Sequence, residues 1–276
     1  MRIIDTHVHV LDHYMPVDPA NEKGGNWAEG GYPFLLRRMD DCAVEKAVLV
    51  PVVAAYSPDN NRECAQLAKE HPDRLALLID VSLDQPDAAA QLARAREEWG
   101  AVGISYYPPT TALDWMAGPP CDPLWRAFKE YDLVCNLQIR PPSYPVLMEL
   151  ARTHPEVRFV SNHLGLPARS FEPDDPRYGG LLEAVSLPNI TVKASGFFAA
   201  ADTNWDVRCP RILGFISRLL KDLGPDRVMW GSDWPPSALY MTYQQHLEVI
   251  RTFTPELNEQ DLALVLGENA ARVYKI

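Results

Sequence analysis

"RIIDTHVHV", residues 2–10, sets two imidazoles, His7 and His9, two positions apart in a run that is otherwise mostly apolar. The run reads as a β-strand, and side chains two apart on a strand share a face. Asp5, His7 and His9 are therefore expected on one side, with Thr6, Val8 and Val10 on the other. If the apolar face packs on helices, the ionisable face points into an interior, where polar groups are costly unless partnered. Those partners have to come from elsewhere in the chain.

Seven more short apolar runs follow: 46–53 "KAVLVPVV", 75–81 "LALLIDV", 101–107 "AVGISYY", 133–139 "LVCNLQI", 157–163 "VRFVSNH", 190–195 "ITVKAS" and 228–233 "VMWGSD". Helical patterns lie between them over 60–70, 86–99, 122–131, 143–153 and 209–223, several opening on Pro or Asp as helix starts do. Eight strand–helix alternations with short connections predict an α/β chain forming a single (β/α)8 TIM-type barrel domain over residues 1–276. A doubly wound open sheet is the competing architecture, disfavoured by the count of eight and by the lack of Gly-x-Gly-x-x-Gly after the first strand. The stretch 11–33 is the longest without periodicity and sits where lids and substrate walls are found.

Bulk properties narrow the function classes. With 26 basic against 37 acidic residues the chain carries a net charge of −11. That argues against nucleic acid and anionic membrane surfaces as partners. No run approaches the roughly 18 apolar residues of a membrane span, and the amino-terminal stretch lacks the basic and then apolar regions of an export signal. A cytoplasmic protein is expected. The five cysteines are dispersed without a Cys-x-x-Cys pair, which fits reduced thiols. A homo-oligomer stays open, since dimers are common and no segment identifies an interface.

In such a barrel, chemistry sits at the carboxyl ends of the strands. Polar residues gather there: His7 and His9 on the first strand, Tyr106 and Tyr107 on the fourth, Gln138 and Arg140 on the fifth, Asn162 and His163 on the sixth, Lys193 and Ser195 on the seventh, Asp233 and Trp234 on the eighth. His7, His9 and Asp233 form a ligand set suited to one divalent metal, Zn2+ above others. The same groups can act without metal, the imidazoles donating to a substrate carbonyl while Asp233 takes a proton from water. Asp5 either steadies the His7 imidazole or is a buried residue bonded to backbone. Arg140 and Lys193 suit a substrate carboxylate. Gln138, Tyr106 and Trp234, with Trp27, Tyr32 and Tyr240, are the expected pocket walls.

"DTHVH" at 5–9, "SNHLGLP" at 161–167, "RVMWGSDWP" at 227–235 and "GENAARVY" at 267–274, with "SPDNNRECAQLAKEHPDRLALLIDV" at 57–81, resemble the amidohydrolase-related (amidohydrolase 2) branch of the amidohydrolase superfamily. The pattern is most similar to its lactonases, the group that includes 2-pyrone-4,6-dicarboxylate lactonase and the sugar lactonases. The resemblance implies a barrel with His-x-His on strand one, His on strand six and Asp on strand eight, which fall on His7, His9, His163 and Asp233. Metal-dependent members commonly carry a His at the end of strand five, where this chain has Gln138. The lactonases often have Asp before the strand-six His, where this chain has Asn162.

The expected function is hydrolysis of a small lactone or cyclic ester, the substrate being a small molecule such as a carboxylated lactone. Asp233 is the expected base, and His163 the expected oxyanion stabiliser. The rivals are a metal-dependent decarboxylase of the same branch and a barrel that binds a ligand without turnover. A two-metal hydrolase would need a bridging Lys or Glu on strand four, and "GISYYPP" offers none.

Overall fold

The computed structural model describes residues 1–11, 30–203 and 205–276. The apolar runs form eight strands: β1 (Ile4–Val8), β2 (Lys46–Leu49), β3 (Leu75–Asp80), β4 (Gly103–Tyr106), β5 (Val134–Leu137), β6 (Phe159–Ser161), β7 (Ile190–Ala194) and β8 (Val228–Trp230). They are parallel and ordered β1 to β8 as in the chain. The ring closes where Val8 makes a parallel bridge to Trp234, His9 N donates to Trp234 O at 2.8 Å and Asp233 N donates to His7 O at 2.8 Å. This is the (β/α)8 barrel.

Helices α1 (Tyr32–Asp41), α2 (Asn60–Glu70), α3 (Ala88–Glu97), α4 (Asp122–Glu130), α5 (Tyr144–Thr153), α6 (Pro176–Leu182), α7 (Pro210–Leu223) and α8 (Tyr243–Arg251) alternate with the strands. Proline occupies the first turn of α1, α4, α5, α6 and α7, where its missing N–H costs nothing. α1, α6 and α8 lie outside the helical stretches read from the sequence. α8 starts with a capping box, Gln245 N donating to Thr242 Oγ1 and Thr242 N to Gln245 Oε1, a short signal that hydrophobic periodicity does not register. Most of the 11–33 stretch, with Trp27, lies outside the described residues.

Two apolar layers follow from strand alternation. On β2 and just beyond it, Ala47 and Leu49 join the large cluster beneath the helices, while Val48 and Val50 join a smaller cluster with Ala76, Leu78, Val134, Val160 and Met229 inside the barrel. β1 departs from the strict alternation expected of it. Ile4 packs in the inner cluster and Val8 in the outer one, although residues four apart on a regular strand share a face. The pairing register with β2 shifts between Asp5 and Val8, as a bulge requires. It re-aims the strand across Thr6 and His7.

Candidate active site

The carboxyl end of β1 presents His7 and His9, both buried. The His9 backbone is fixed by Trp234 O, and its ring by Nδ1 at 2.6 Å from Val50 O just beyond β2. Nε2 then faces Asp233 Oδ1 at 3.0 Å. His7 Nε2 lies 3.7 Å from the same oxygen and is buried without a well-formed hydrogen bond among the described residues, Asn162 being the ring's polar neighbour. Burial, reinforced by the charges of Lys193, His163 and His9, holds the His7 pKa well below the usual imidazole range.

His163 and Asp233 reach the same point from loops. Both have left-handed backbones, φ 53° and 56°, and Leu164 and Leu166 beside His163 share that conformation at φ 58° and 51°. Non-glycine residues adopt it rarely, and such strain clusters at functional sites. His163 Nδ1 lies 3.0 Å from Ser195 Oγ and 3.9 Å from Asp233 Oδ2, its ring centroid 4.6 Å from that of His7. Gly196, at φ 58°, makes room for this approach, because a Cβ there would meet His163 Nδ1 at 2.5 Å and Asp233 Oδ2 at 3.1 Å. Sequence reading passed over Gly196; only the approach of the two loops reveals its part. Burial would raise the Asp233 pKa, but His163 and His9 outweigh it and hold the carboxyl below its ordinary value. Asp233 is a carboxylate at neutral pH.

A ligand atom from each of His7, His163 and Asp233 lies within 4.8 Å of the others. The set read from sequence was His7, His9 and Asp233; the geometry brings in His163, with His9 on the flank of Asp233. The residues fit a divalent cation. With Nδ1 donating to the Val50 carbonyl, a neutral His9 has a lone pair on Nε2 facing a carboxylate oxygen, and the bare His7 Nε2 faces it too. A carbonyl partner on the far nitrogen is how metal-binding histidines are oriented.

Beneath this layer, Asp5 Oδ1 accepts from the backbone N–H of His7 at 3.1 Å and of Ser232 at 2.8 Å, which favours the backbone-bonded reading of that residue. Burial raises its pKa to about 6. Lys193 does not open to the mouth. It is wholly buried under His7, Nζ donating to Thr6 O at 2.6 Å and lying 3.4 Å from His7 Nδ1, its pKa pushed down to about 7 by burial. A substrate carboxylate would have to pass His7 to reach it. Trp234 is likewise placed elsewhere, its side chain in the outer apolar cluster. Tyr32 stacks on His71 with centroids 4.5 Å apart and Tyr240 on Phe198 at 4.7 Å.

Three cavities among the described residues line the mouth. One of about 510 Å3 spans the ends of β2–β5, between the Val52–Val53 segment, Asp80, Tyr106, Tyr107 and Gln138. A second, of about 280 Å3, contains Gln138 and Arg140. The third, of about 880 Å3, has Arg140, Arg169 and Arg177 among prolines, Leu166 and Phe171. Gln138, Tyr106 and Arg140 thus border open space. Asp80, absent from the sequence-derived set although it lies within the 75–81 run, borders it as well.

The amidohydrolase family model matches residues 4–276. An L-fucono-1,5-lactonase from Burkholderia ambifaria is 28% identical over 201 residues, 71% of this chain and 69% of the relative. A D-galactarolactone isomerase from Agrobacterium fabrum is 24% identical over 293 residues, 99% of this chain and 91% of the relative. The crystal structure of an amidohydrolase from Burkholderia multivorans with bound zinc superimposes with a TM-score of 0.83 at 21% identity, over all of both chains, and shares the fold. No helix among the described residues is long and apolar enough to cross a membrane. The match over nearly the whole chain, on a barrel whose histidines and aspartate meet at its mouth, makes this chain an enzyme of the amidohydrolase family.

Proposed function

We propose that the protein opens a small lactone or related cyclic ester by attack of water. One observation carries the reading: Asp233, ionised and buried, lies between His9 and His163 with His7 facing the same oxygen as His9. Lactones are what the L-fucono-1,5-lactonase and the D-galactarolactone isomerase are named for, and a cyclic ester needs little beyond a base, an activated carbonyl and an oxyanion partner.

Asp233 takes the proton of the attacking water through the oxygen directed at His163. His163, held by Ser195 Oγ, stabilises the oxyanion that develops on the carbonyl. His7 polarises that carbonyl, and His9 flanks Asp233. His7, His163 and Asp233, flanked by His9, would hold a divalent cation, Zn2+ in the first instance, and a bound cation adds Lewis-acid polarisation and a more acidic water. Arg140, exposed at the mouth among the arginines of the third cavity, is the residue for a carboxylate on the substrate. Gln138 and Tyr106 complete the wall.

Proton release in a pH-stat, over a panel of five- and six-membered lactones with and without carboxylates, tests the reading. Turnover of at least one lactone is expected, with Asp233→Asn lowering kcat by about a thousandfold or more while the fold is kept. A protein that opens none of the panel, or a fully active Asp233→Asn variant, overturns it.

A further inference from the structure

The mouth is divided by charge. Every residue of the third cavity that carries charge is an arginine, Arg140, Arg169 and Arg177. The cavity at the ends of β2–β5 is lined by no lysine or arginine among the described residues; its one charged group is Asp80, accompanied by Asn61, Gln85, Gln91, Gln138 and two tyrosines. An anion in this cavity would face Asp80 without a compensating cation. A hydroxyl group would meet acceptors and amides on several sides.

Asp80 is held for such a role. Its Oδ2 accepts from Val53 N at 2.7 Å. Its backbone is locked by Asn61, whose Oδ1 accepts from Asp80 N at 2.8 Å and whose Nδ2 donates to Asp80 O at 2.9 Å. Oδ1 takes no hydrogen bond from the described residues. In the same lining, the Tyr107 hydroxyl is buried without a well-formed hydrogen bond, Ser105 being its polar neighbour. The cavity adjoins the reacting centre, because Val52 and Val53 in its wall follow Val50, whose carbonyl holds His9. Asn60 ties that segment to the end of β1, its Oδ1 accepting from Val52 N at 2.9 Å and its Nδ2 donating to Val10 O at 3.2 Å.

We propose that this cavity is a hydroxyl-binding subsite in which Asp80 Oδ1 accepts hydrogen bonds from a polyhydroxylated ring, which makes Asp80 the residue that selects sugar-derived lactones over unsubstituted ones. The choice of a cyclic ester rests on the function proposed above; the subsite itself rests on the cavity. Hydrogen bonds to a charged acceptor are the strong ones. Rejection by a polar site of an analogue lacking the hydroxyl is steep, because the site's own groups are left unpaired.

Calorimetric binding of D-glucono-1,5-lactam and of 2-piperidone to the full-length protein tests this, the second being the same ring without hydroxyls. The wild type is expected to bind the gluconolactam at least about thirtyfold tighter. Asp80→Asn, whose amide oxygen can still accept from Val53 N, is expected to weaken gluconolactam about tenfold and to leave 2-piperidone within about twofold. Equal affinity of the wild type for both lactams, binding of neither, or an unchanged gluconolactam affinity in a folded Asp80→Asn overturns the proposal; should that variant not fold, the wild-type comparison still decides. A lactam amide is far less reactive toward water than a lactone ester, so these rings report binding apart from turnover. Failure of lactone turnover with gluconolactam selectivity intact therefore strikes the proposed reaction and leaves the subsite standing.

Discussion

His9 Nε2 and Asp233 Oδ1 stand 3.0 Å apart across the seam where the first and last strands close the barrel. The other nitrogen of the ring is 2.6 Å from the Val50 carbonyl, which can only accept, so Nδ1 carries the hydrogen. In the neutral ring a lone pair then faces a carboxylate oxygen. Only a proton or a cation makes this contact favourable, and the nearby bare nitrogen of His7 favours the cation.

Elemental analysis of protein purified without chelator is accordingly expected to give about one divalent ion per chain. His7→Ala and Asp233→Ala are expected to lose most of it. Val50 holds His9 through a backbone carbonyl, so no side-chain change at that position should matter to retention. Full lactone-opening activity after exhaustive chelation, with no metal left, would show that the reaction does not need the cation.

Gly196→Ala should damage the site more than the fold. At φ 58° an alanine costs about 1–2 kcal/mol in backbone strain, which a barrel of this size survives. Its Cβ would lie 2.5 Å from His163 Nδ1, so the ring has to move. A displacement of about 1 Å can cost about a hundredfold in rate, and a fall in kcat of tenfold to a hundredfold is the expected range. Unchanged kcat in a folded Gly196→Ala variant would remove His163 from the reaction.

The acid limb of stability should carry the mark of His246. This ring stacks on Phe197 at 3.9 Å, and burial lowers its pKa from 6.5 to about 3. Below pH 6.5 the unfolded chain binds a proton that the native ring refuses. The stability contribution is thus complete above pH 6.5 and is lost as pH falls toward 3, reaching about 2 kcal/mol at pH 5. Urea melts at pH 8 and pH 5 check this, with His246→Gln expected to start less stable and to lose about that much less. Parallel losses in the two proteins would mean that another group governs the limb.

The strands were legible because period-2 and continuous apolar runs are a local property, and so were His7, His9, His163 and Asp233, which fall at the ends of those runs. Lys193 shows where that legibility stops. It occupies an inward position two residues before Ser195, and nothing local distinguishes a residue at the mouth from one a layer deeper, since depth is set by how the strands stagger around the ring. Asp80 and Gly196 escaped for the converse reason. Each is an ordinary residue in its own segment, and its part comes from a neighbour far away in sequence, the Val53 amide for one and the His163 ring for the other. The β1 bulge, too, is settled by pairing with β2 and not by composition.

The carboxy-terminal "GENAARVY" stretch carried part of the family resemblance, yet its best-connected residue works at the opposite end of the barrel from the chemistry. Asn269 Nδ2 donates to Pro225 O and to Val228 O, both at 2.8 Å, and its Oδ1 accepts from Arg272 at 2.9 Å. Val228 opens β8, so the asparagine pins the amino-terminal end of the strand whose other end leads to Asp233. Asn269→Ala leaves two carbonyls without their donor at a buried position, a loss of about 2–3 kcal/mol. That end of a barrel serves stability and not catalysis. The expected result is a lowered urea midpoint with kcat and KM within about twofold at temperatures where the variant is folded. A folded Asn269→Ala with unchanged stability and lost activity would mean that the foot of β8 is coupled to the position of Asp233.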